Sequence, residues 1–241
     1  ICSDNGSEIG ILDVLILSTK SYSLKNVIAQ YSDVIDSSTI IITLQNMVNA
    51  SDVVREMIPD KGIILEGCIY VASIVESPGH VEHVGGPGKI FIDGENNKYA
   101  WVTDLLTDSG LDVTNDPNIR EVLWKKFLFV APVAALTSAY KITFGQILED
   151  QNLMHALENM MLEIQALAIK NGINLSKEDI QNSKDLLSKF PYESKSSLQL
   201  DFENHRQTEK EFLVDYIIDN CDKLGIASPY YKQIDERIKS L

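Results

Sequence analysis

The sequence predicts two fold classes in one chain, a doubly wound parallel α/β sheet followed by an all-helical domain. Short apolar runs of strand length alternate with helical segments in the first half, as expected for strand–helix–strand units. After residue 117 the strand signals stop, and the apolar residues recur with the period of a helix. A chain of 241 residues is long enough for two modest domains. We therefore expect an α/β domain over residues 1–116 and a helical domain over residues 117–241.

The first half of the chain alternates between two kinds of segment. Ile11–Thr19, Ser38–Gln45 and Ile63–Val71 are nearly continuous apolar runs, which is typical of strands buried on both faces of a parallel sheet. Leu24–Tyr31 and Asn49–Met57 lie between them and predict amphipathic helices. In such sheets, ligands bind beyond the carboxyl ends of the strands.

Two polar residues follow the predicted strands at those ends. Lys20 comes after the first strand and Asn46 after the second. Because the carboxyl ends of parallel strands lie at one edge of a sheet, both are candidates for ligand binding. The alternative, which the pattern leaves open, is that they are ordinary polar residues at strand ends.

Residues 77–94 predict a β-hairpin. Pro78-Gly79 predicts a turn, Val81–Val84 and Lys89–Ile92 have strand composition, and the glycine-rich segment between them predicts a second turn. Downstream, Lys98–Asp108 predicts a helix and Leu111–Thr114 a last short strand.

The long helix predicted over Asn118–Tyr140 contains the first candidate for chemistry. Lys126 lies on an apolar stripe between Leu123 and Val130, and a lysine on a buried face is costly unless a partner or a function uses it. Its neighbour Lys125 fits a second stripe equally well, so spacing alone does not choose between the two. The alternative for Lys126 is that its side chain reaches the solvent.

The second half predicts further helices. Asn152–Lys170, Ser176–Phe190 and Tyr230–Leu241 carry apolar residues at helical spacing, and Ser196–Asn220 predicts one more helix that starts at a serine cap. Glu209 lies on the apolar stripe of the Ser196–Asn220 segment, together with His205. A carboxylate in such a position is a candidate for a functional site, and a structural ion pair is the alternative.

Composition excludes several classes of function. The net charge of −14, from 21 basic and 35 acidic residues, argues against nucleic acid or an anionic membrane as the main partner. No apolar run is predicted to span a membrane. The three cysteines are far apart in the sequence, which favours a reducing, cytoplasmic setting without disulfides or a zinc site. His80 and His83 would point to opposite faces of a strand, so no metal site is predicted there.

Several segments, in order, resemble the ketopantoate reductase family, whose members reduce 2-dehydropantoate to pantoate with NADPH for coenzyme A synthesis. The matching residues are Leu17-Ser18-Thr19-Lys20, Leu44-Gln45-Asn46, Pro78-Gly79 with Val81, His83 and Gly85, Trp124 with Lys126, Ser196-Ser197 with Asp201, Arg206 and Thr208-Glu209, and Gly225-Ile226 with Ser228-Pro229. The resemblance covers essentially the whole chain and implies a partial Rossmann-like domain followed by a helical domain like that of 6-phosphogluconate dehydrogenase.

The resemblance also implies roles for individual residues. The family's general acid falls on Lys126, and its substrate-binding carboxylate falls on Glu209, which would also contact the cofactor. The substrate-contacting serine falls on Ser197 and a nearby aspartate on Asp201. Contacts to NADPH fall on Lys20 and Asn46, and Asn46 would contact the substrate as well.

The sequence departs from the family pattern at the predicted substrate pocket. Val130 and Ala134 stand where the family usually has asparagines, four and eight residues after the catalytic lysine. Val214-Asp215 replaces an asparagine–glycine pair after Glu209. The resemblance therefore implies a more apolar pocket, suited to a branched 2-keto acid with or without the hydroxyl group of ketopantoate.

The family's glycine-rich turn and first strands would precede Ile11, and we expect the chain as given to bind NADPH poorly without them. We expect a monomer or homodimer that binds a 2-keto acid and NADPH. The alternative function is that of a non-catalytic relative, which binds a small ligand or a partner protein. Lys126 and Glu209 together favour the reductase.

Overall fold

The computed structural model describes residues 3–94 and 97–240 of the chain. The chain forms two compact units, Ile1–Leu123 and Trp124–Leu241. The division between them lies inside the long helix that begins at Ile119. The first unit contains the sheet and the second consists of helices, which confirms the predicted fold class.

The described part of the first unit contains a five-stranded sheet whose strands are adjacent in the order of the sequence. The strands are β1 (Val14–Leu17), β2 (Ile40–Thr43), β3 (Ile63–Ser77), β4 (His80–Asp93) and β5 (Val113–Asp116). β1, β2 and β3 are mutually parallel, β4 is antiparallel to β3, and β5 is parallel to β4. The sheet is therefore mainly parallel, with one long antiparallel hairpin.

Helices α1 (Leu24–Tyr31), α2 (Ala50–Met57) and α3 (Ala100–Asp108) connect these strands, and the first two begin and end close to their predicted limits. One core cluster consists of side chains from β2, β3, β4 and α3, namely Ile40, Ile42, Leu65, Ile90, Ile92 and Val102. All four residues of β2 are buried, as the continuous apolar run predicts.

The turn predicted at Pro78-Gly79 is confirmed, and the second turn, predicted between Val81–Val84 and Lys89–Ile92, is wrong. The two predicted short strands, Val81–Val84 and Lys89–Ile92, belong to the single strand β4, which pairs with β3 across a turn at Pro78-Gly79. Gly79 has a φ of 82°, which favours glycine. The other glycines lie within β4, where irregularities shift its register with β3 near Ala72. Glycine permits such bulges as readily as it permits turns, so composition could not distinguish them.

The helical part begins with α4 (Ile119–Tyr140), which crosses from the first unit into the second. The remaining helices are α5 (Phe144–Glu149), α6 (Gln151–Lys170), α7 (Lys177–Leu187), α8 (Ser197–Glu203), α9 (Tyr216–Leu224) and α10 (Pro229–Lys239). The sequence did not predict α5, which Thr143 begins with a reciprocal capping box to Gln146.

The single helix predicted over Ser196–Asn220 is also wrong. α8 ends at Glu203, and His205 adopts a left-handed conformation with φ of 51°. Helical structure resumes at Lys210 with a π-helical turn, Glu211–Asp215, that leads into α9. The apolar spacing continues across this interruption, so periodicity alone could not show the break.

The expectation that no apolar run is long enough to span a membrane needs correction. Among the described residues, α4 is long and apolar enough to cross a membrane. However, 72% of its most apolar window is buried inside the structure, which is typical of the core helix of a soluble protein.

Candidate active site

The first group of candidate residues lies at the carboxyl edge of the parallel strands. Leu17 and Thr43 end β1 and β2 and are paired in register. Lys20 and Asn46 each follow three residues later, so both lie beyond the same edge of the sheet. Lys20 is half-buried and its carbonyl oxygen accepts the Ser23 N–H at 2.9 Å, while Asn46 is exposed. This is the edge at which doubly wound sheets bind ligands.

Gln45 lies between the end of β2 and Asn46, and its side chain is buried. Neither its amide nitrogen nor its amide oxygen has a hydrogen-bond partner among the described residues. Buried polar groups are normally paired, and an exception commonly marks strain or a partner from outside the chain. An unsatisfied amide beside Asn46 therefore supports a binding role for this edge.

A second feature of the first unit was missed by sequence reasoning. Glu66 on β3 is only 4% exposed. Its Oε1 accepts hydrogen bonds from Ser51 Oγ at 2.7 Å and from Arg120 Nε and Nη2 at 3.0 and 2.9 Å. Arg55 approaches the same oxygen at 3.5 Å, and Asp52 pairs with both arginines. We name these five residues the Glu66 cluster.

The Glu66 cluster connects β3, α2 and the first turn of α4. The hydrogen bonds that Arg120 donates to Glu66 raise the pKa of the Arg120 guanidinium. The only signal in the sequence was a lone carboxylate within an apolar strand, and its partner Arg120 lies 54 residues away. The other carboxylate oxygen of Glu66, Oε2, is buried and has no hydrogen-bond partner among the described residues. Because the two arginines balance the charges of Glu66 and Asp52, we assign the cluster a structural role.

In the second unit, α4 distinguishes the two lysines that periodicity could not. Lys125 is exposed, and its Nζ lies 3.4 Å from Asp179 Oδ1 on α7. Burial alone would raise the pKa of Asp179, but hydrogen bonds from Ser176 and the Lys125 ammonium hold it below its ordinary value. Lys126 is half-buried instead. Lys125 is thus accounted for by an ion pair at the surface.

The residues around Lys126 on α4 are mostly buried and apolar. Trp124 and Phe127 flank it in sequence, and their rings meet edge to face with centroids 6.0 Å apart. One and two turns further along the helix, Val130 is half-buried and Ala134 is buried. The predicted substrate-facing positions of this helix are therefore apolar apart from the lysine.

Glu209 lies where the helical structure resumes after the break. It is buried, with 8% of its surface exposed. Its carbonyl oxygen accepts the N–H groups of Phe212 and Leu213 at 3.0 and 3.1 Å. The carboxylate is therefore at the N-terminal end of a helical segment, where the backbone dipoles favour a negative charge. The π-helical turn that follows is a feature often found at functional sites.

The residue after Glu209 anchors this segment. Lys210 pairs with Asp215 and, at 2.6 Å, with Asp235 on α10, which also pairs with Lys239 at 2.6 Å. We name these four residues the Lys210 cluster. Burial would lower the pKa of Lys210, but the two carboxylates raise it above its ordinary value. Burial would raise the pKa of Asp235, and the two ammonium groups lower it.

The remaining candidates lie on α8. Ser197 is exposed at the first position of the helix, while Asp201 is buried 3.9 Å from Arg206 Nη1. Ser196 caps the helix by accepting the Gln199 N–H, and its Oγ lies 2.8 Å from Thr137 Oγ1 on α4. This hydrogen bond attaches the start of α8 to the helix that carries Lys126.

His80 and His83 each have a partner within the hairpin. His80 pairs with Glu76 at 2.9 Å, and His83 Nε2 lies 2.8 Å from the Gly85 carbonyl oxygen. Within the described ranges, no group of three or more His, Cys, Asp or Glu side chains could hold a metal ion.

A mainly parallel sheet with polar residues at its carboxyl edge, joined to a helical unit with a half-buried lysine and a buried glutamate, is the organisation of a two-domain oxidoreductase. The family model for ketopantoate reductase PanE/ApbA matches residues 2–96, and the model for the C-terminal part of the same enzymes matches residues 118–241. The chain therefore belongs to the ketopantoate reductase family, whose members are oxidoreductases.

Individual relatives are distant in sequence. A 2-dehydropantoate 2-reductase of Streptococcus pyogenes serotype M1 is 26% identical over 230 residues, which cover 94% of this chain and 75% of the relative. The uncharacterized oxidoreductase YkpB of Bacillus subtilis is 25% identical over 235 residues, covering 95% and 77% of the two chains.

Solved structures share the fold. The PanE/ApbA family ketopantoate reductase of Ralstonia eutropha superposes with a TM-score of 0.90 at 22% identity, covering 98% of this chain and 78% of that one. A D-mandelate dehydrogenase with NADH and anilino(oxo)acetate superposes with a TM-score of 0.83 at 20% identity, covering 95% and 76%. At these identities the likeness establishes the fold alone.

The residues at the sheet edge fit a nicotinamide nucleotide. Lys20 offers a positive charge for an anionic group, and Asn46 offers both a donor and an acceptor. The unsatisfied Gln45 amide between the strand and Asn46 is the structural observation that favours a ligand at this edge.

Proposed function

We propose that this protein reduces a 2-keto acid, either ketopantoate or a related branched 2-keto acid, with NADPH and with Lys126 as the general acid. The observation that carries the proposal is the difference in exposure between the two lysines of α4: Lys125 is exposed, and Lys126, which lies between the buried Trp124 and Phe127 in the sequence, is half-buried. The relatives named 2-dehydropantoate 2-reductase support the substrate class. A structural neighbour that contains NADH supports a nicotinamide cofactor.

The cofactor supplies a hydride to C2 of the keto acid. As C2 gains the hydride, its carbonyl oxygen gains negative charge, and the Lys126 ammonium stabilises this charge and donates the proton that completes the 2-hydroxy acid. The apolar residues around Lys126 strengthen this interaction, because a charge acts more strongly where water is excluded.

Other residues bind and orient the substrate in this proposal. The Glu209 carboxylate contacts the substrate and the cofactor, and the Ser197 hydroxyl contacts the substrate. Asp201 acts with Ser197 on the same helix, and its burial beside Arg206 keeps that helix end ordered. Lys20 and Asn46 bind the cofactor, and Asn46 also contacts the substrate.

The pocket wall at Val130 and Ala134 sets the proposed specificity. Valine and alanine cannot form the hydrogen bonds that asparagines at these positions would offer. A site without a buried polar contact does not reject a substrate that lacks the matching hydroxyl group. We therefore propose that 3-methyl-2-oxobutanoate, which is ketopantoate without its hydroxymethyl group, is reduced at least as well as ketopantoate.

The net charge of −14 does not oppose anionic ligands, because local donors determine their binding. The buried thiols of Cys68 and Cys221 suit a reducing compartment, and we place the protein in the cytoplasm as a monomer or homodimer. A solved ketopantoate reductase of Staphylococcus aureus is described as dimeric, which supports the second of these states.

The test compares the two neighbouring lysines. In steady-state assays of the full-length protein with NADPH and a panel of 2-keto acids, Lys126→Ala is expected to lower kcat by about 10²–10⁴-fold, the usual contribution of a positioned general acid. Lys125→Ala is the matched control and is expected to leave kcat nearly unchanged, because Lys125 pairs with Asp179. Glu209→Ala is expected mainly to raise KM, since it removes a substrate contact.

A near-normal kcat in Lys126→Ala contradicts the assignment of the general acid, and so does a Lys125→Ala variant that is the more impaired of the two. NADPH affinity, measured by nucleotide fluorescence, is expected to change little in either lysine variant. A large loss of affinity in Lys126→Ala would show that the lysine holds the cofactor instead of donating a proton.

A further inference from the structure

A defined turn between α8 and Glu209 determines where the Arg206 side chain lies. The His205 N–H donates to the Phe202 carbonyl oxygen at 3.1 Å, and the Arg206 N–H donates to the Asp201 carbonyl oxygen at 2.8 Å. With His205 in the left-handed conformation, at a φ of 51°, these two hydrogen bonds form a Schellman motif. In this motif, the residue after the left-handed one commonly contacts the third residue from the end of the helix. Here those two residues are Arg206 and Asp201.

The guanidinium group of Arg206 has hydrogen-bond donors available for a ligand. The side chain is 66% exposed, and within the described ranges its one ion contact joins Nη1 to Asp201 Oδ1 at 3.9 Å. That distance is too long for a hydrogen bond. The neighbouring ammonium groups are used differently, because Lys195 donates to both carboxylate oxygens of Glu203 at 2.9 Å and Lys210 belongs to the Lys210 cluster.

Arg206 lies close to two residues that we propose to contact the substrate. Asp201 follows Ser197 by four residues on α8, so their side chains share one face of the helix. Arg206 precedes Glu209 by three residues, so their α-carbons are at most about 11 Å apart. The guanidinium group is therefore beside the helix face of one proposed substrate contact and close along the chain to the other.

The proposed substrate contacts leave the substrate's carboxylate without a cation. A 2-keto acid is an anion, and Glu209 and Asp201 add two carboxylates to the same part of the helical unit. Lys126 acts at the carbonyl oxygen in the proposed reaction, and Ser197 is neutral. An anion beside other carboxylates needs a positive partner, and a chain of net charge −14 offers it no general attraction.

We propose that Arg206 binds the carboxylate group of the 2-keto acid and thereby selects acids over neutral ketones of the same shape. This inference rests on the proposed function for its class of substrate. A guanidinium group donates two parallel N–H bonds to a carboxylate, a geometry that a lysine cannot reproduce. Asp201 keeps the guanidinium group at α8 before the substrate binds.

The test measures the binding of an unreactive analogue to the full-length protein saturated with NADP⁺, by isothermal titration calorimetry. N-isopropyloxamate has the carboxylate and the adjacent carbonyl group of a branched 2-keto acid, and N-isopropyloxamide is its neutral counterpart. The wild type is expected to bind the acid more tightly than the amide. Arg206→Gln is expected to raise the Kd of the acid by about 10–100-fold, the usual effect of losing charge-assisted hydrogen bonds, and to leave the Kd of the amide nearly unchanged.

Two further variants separate recognition by the guanidinium group from general effects of charge and folding. Arg206→Lys keeps the charge without the paired donors, and its Kd for the acid is expected to lie between those of the wild type and Arg206→Gln. Lys195→Gln is the matched control, because it removes a positive charge next to the same helix, and it is expected to bind both analogues like the wild type.

Steady-state assays provide the second measurement. Arg206→Gln is expected to raise the KM of a 2-keto acid with little change in kcat, since the carboxylate is bound equally in the ground state and the transition state. A wild type that reduces no 2-keto acid contradicts the proposed function, whereas the calorimetry still tests Arg206. The inference is overturned if the wild type does not bind the acid or binds acid and amide equally. It is also overturned if Arg206→Gln binds the acid as the wild type does, or if Lys195→Gln weakens it as much.

Discussion

The two units contain charged clusters of opposite design. In the Glu66 cluster, one buried carboxylate is held by two guanidinium groups and a hydroxyl group. In the Lys210 cluster, one largely buried ammonium group is held by two carboxylates. The first attaches the start of α4 to β3 and α2, and the second attaches the segment after Glu209 to α10.

The comparison shows how this fold uses its charges. Each cluster lies close in sequence to a proposed catalytic residue, Arg120 six residues before Lys126 and Lys210 directly after Glu209. We infer that the clusters hold the backbone that carries these residues, and that they themselves take no part in the chemistry. If so, changes within the clusters should alter stability, and the two clusters should respond differently to pH.

The largest effect on stability is expected from Glu66→Gln. This change removes the charge that faces Arg120 and Arg55, and it places an amide group where the buried carboxylate was. Breaking a fully buried ion pair costs roughly 3–5 kcal/mol, and the half-exposed arginines reduce this, so we expect a loss of about 2–3 kcal/mol. Denaturation by urea at pH 7 measures the free energy of unfolding.

Asp52→Asn is the matched control for Glu66→Gln. Asp52 pairs with the same arginines, but its side chain is 49% exposed. Removal of its charge is expected to change the free energy of unfolding by less than about 1 kcal/mol, as is usual for a surface ion pair. Equal losses from the two substitutions would show that burial of Glu66 has no special importance.

A smaller effect, with a defined pH dependence, is expected from Asp235→Asn. The folded pKa of Asp235 lies below its unfolded value, so the stabilisation is present above about pH 4 and is lost as the pH falls through the lowered folded pKa. We expect the variant to be about 1–2 kcal/mol less stable than the wild type at pH 7. The difference should disappear near the acidic end of a stability profile.

Lys210, which pairs with Asp235, contributes to stability with the opposite pH dependence. Its folded pKa is raised, so its contribution is present below the unfolded value of about 10.4 and is lost as the pH rises through the folded value.

For Asp235, a stability difference between wild type and Asp235→Asn that stays constant from about pH 3 to pH 7 would contradict the assigned role of the cluster.

The smallest effect, and one of opposite sign, is expected from Tyr231→Phe. The Tyr231 side chain is fully buried on α10, and its hydroxyl oxygen has no hydrogen-bond partner in the described parts of the chain. Removing an unsatisfied buried hydroxyl group should stabilise the protein by up to about 1 kcal/mol. A melting temperature several degrees lower than that of the wild type would show that the hydroxyl group has a partner.

The sequence predicted the features that neighbouring residues determine, and it did not predict those that depend on contacts between residues far apart in the chain. Helices such as Leu24–Tyr31 follow from local periodicity, and α1 has those limits. The break before Glu209 was missed, because apolar spacing continues through it. A turn was wrongly predicted at the glycines within β4, because glycine is common in both turns and bulges. Both errors concern backbone geometry that tertiary packing decides.

The candidate site was likewise predicted only as far as local sequence determines it. Spacing could not choose between Lys125 and Lys126, because the decisive contact of Lys125 is with Asp179, on a helix far away in sequence. The Glu66 cluster was not predicted, since its members come from three separate elements. The family resemblance provided the roles of Lys126, Glu209 and Ser197, which no local pattern contains.

The most direct test of the proposed reaction follows the hydride itself. NADPH deuterated at the transferable position of C4 would be incubated with the full-length protein and with ketopantoate or 3-methyl-2-oxobutanoate, and the product analysed by mass spectrometry. The proposal predicts a 2-hydroxy acid with one deuterium at C2, formed in equal amount to the NADPH consumed. Consumption of NADPH without deuterium at C2, or no product from any 2-keto acid tested, would contradict it.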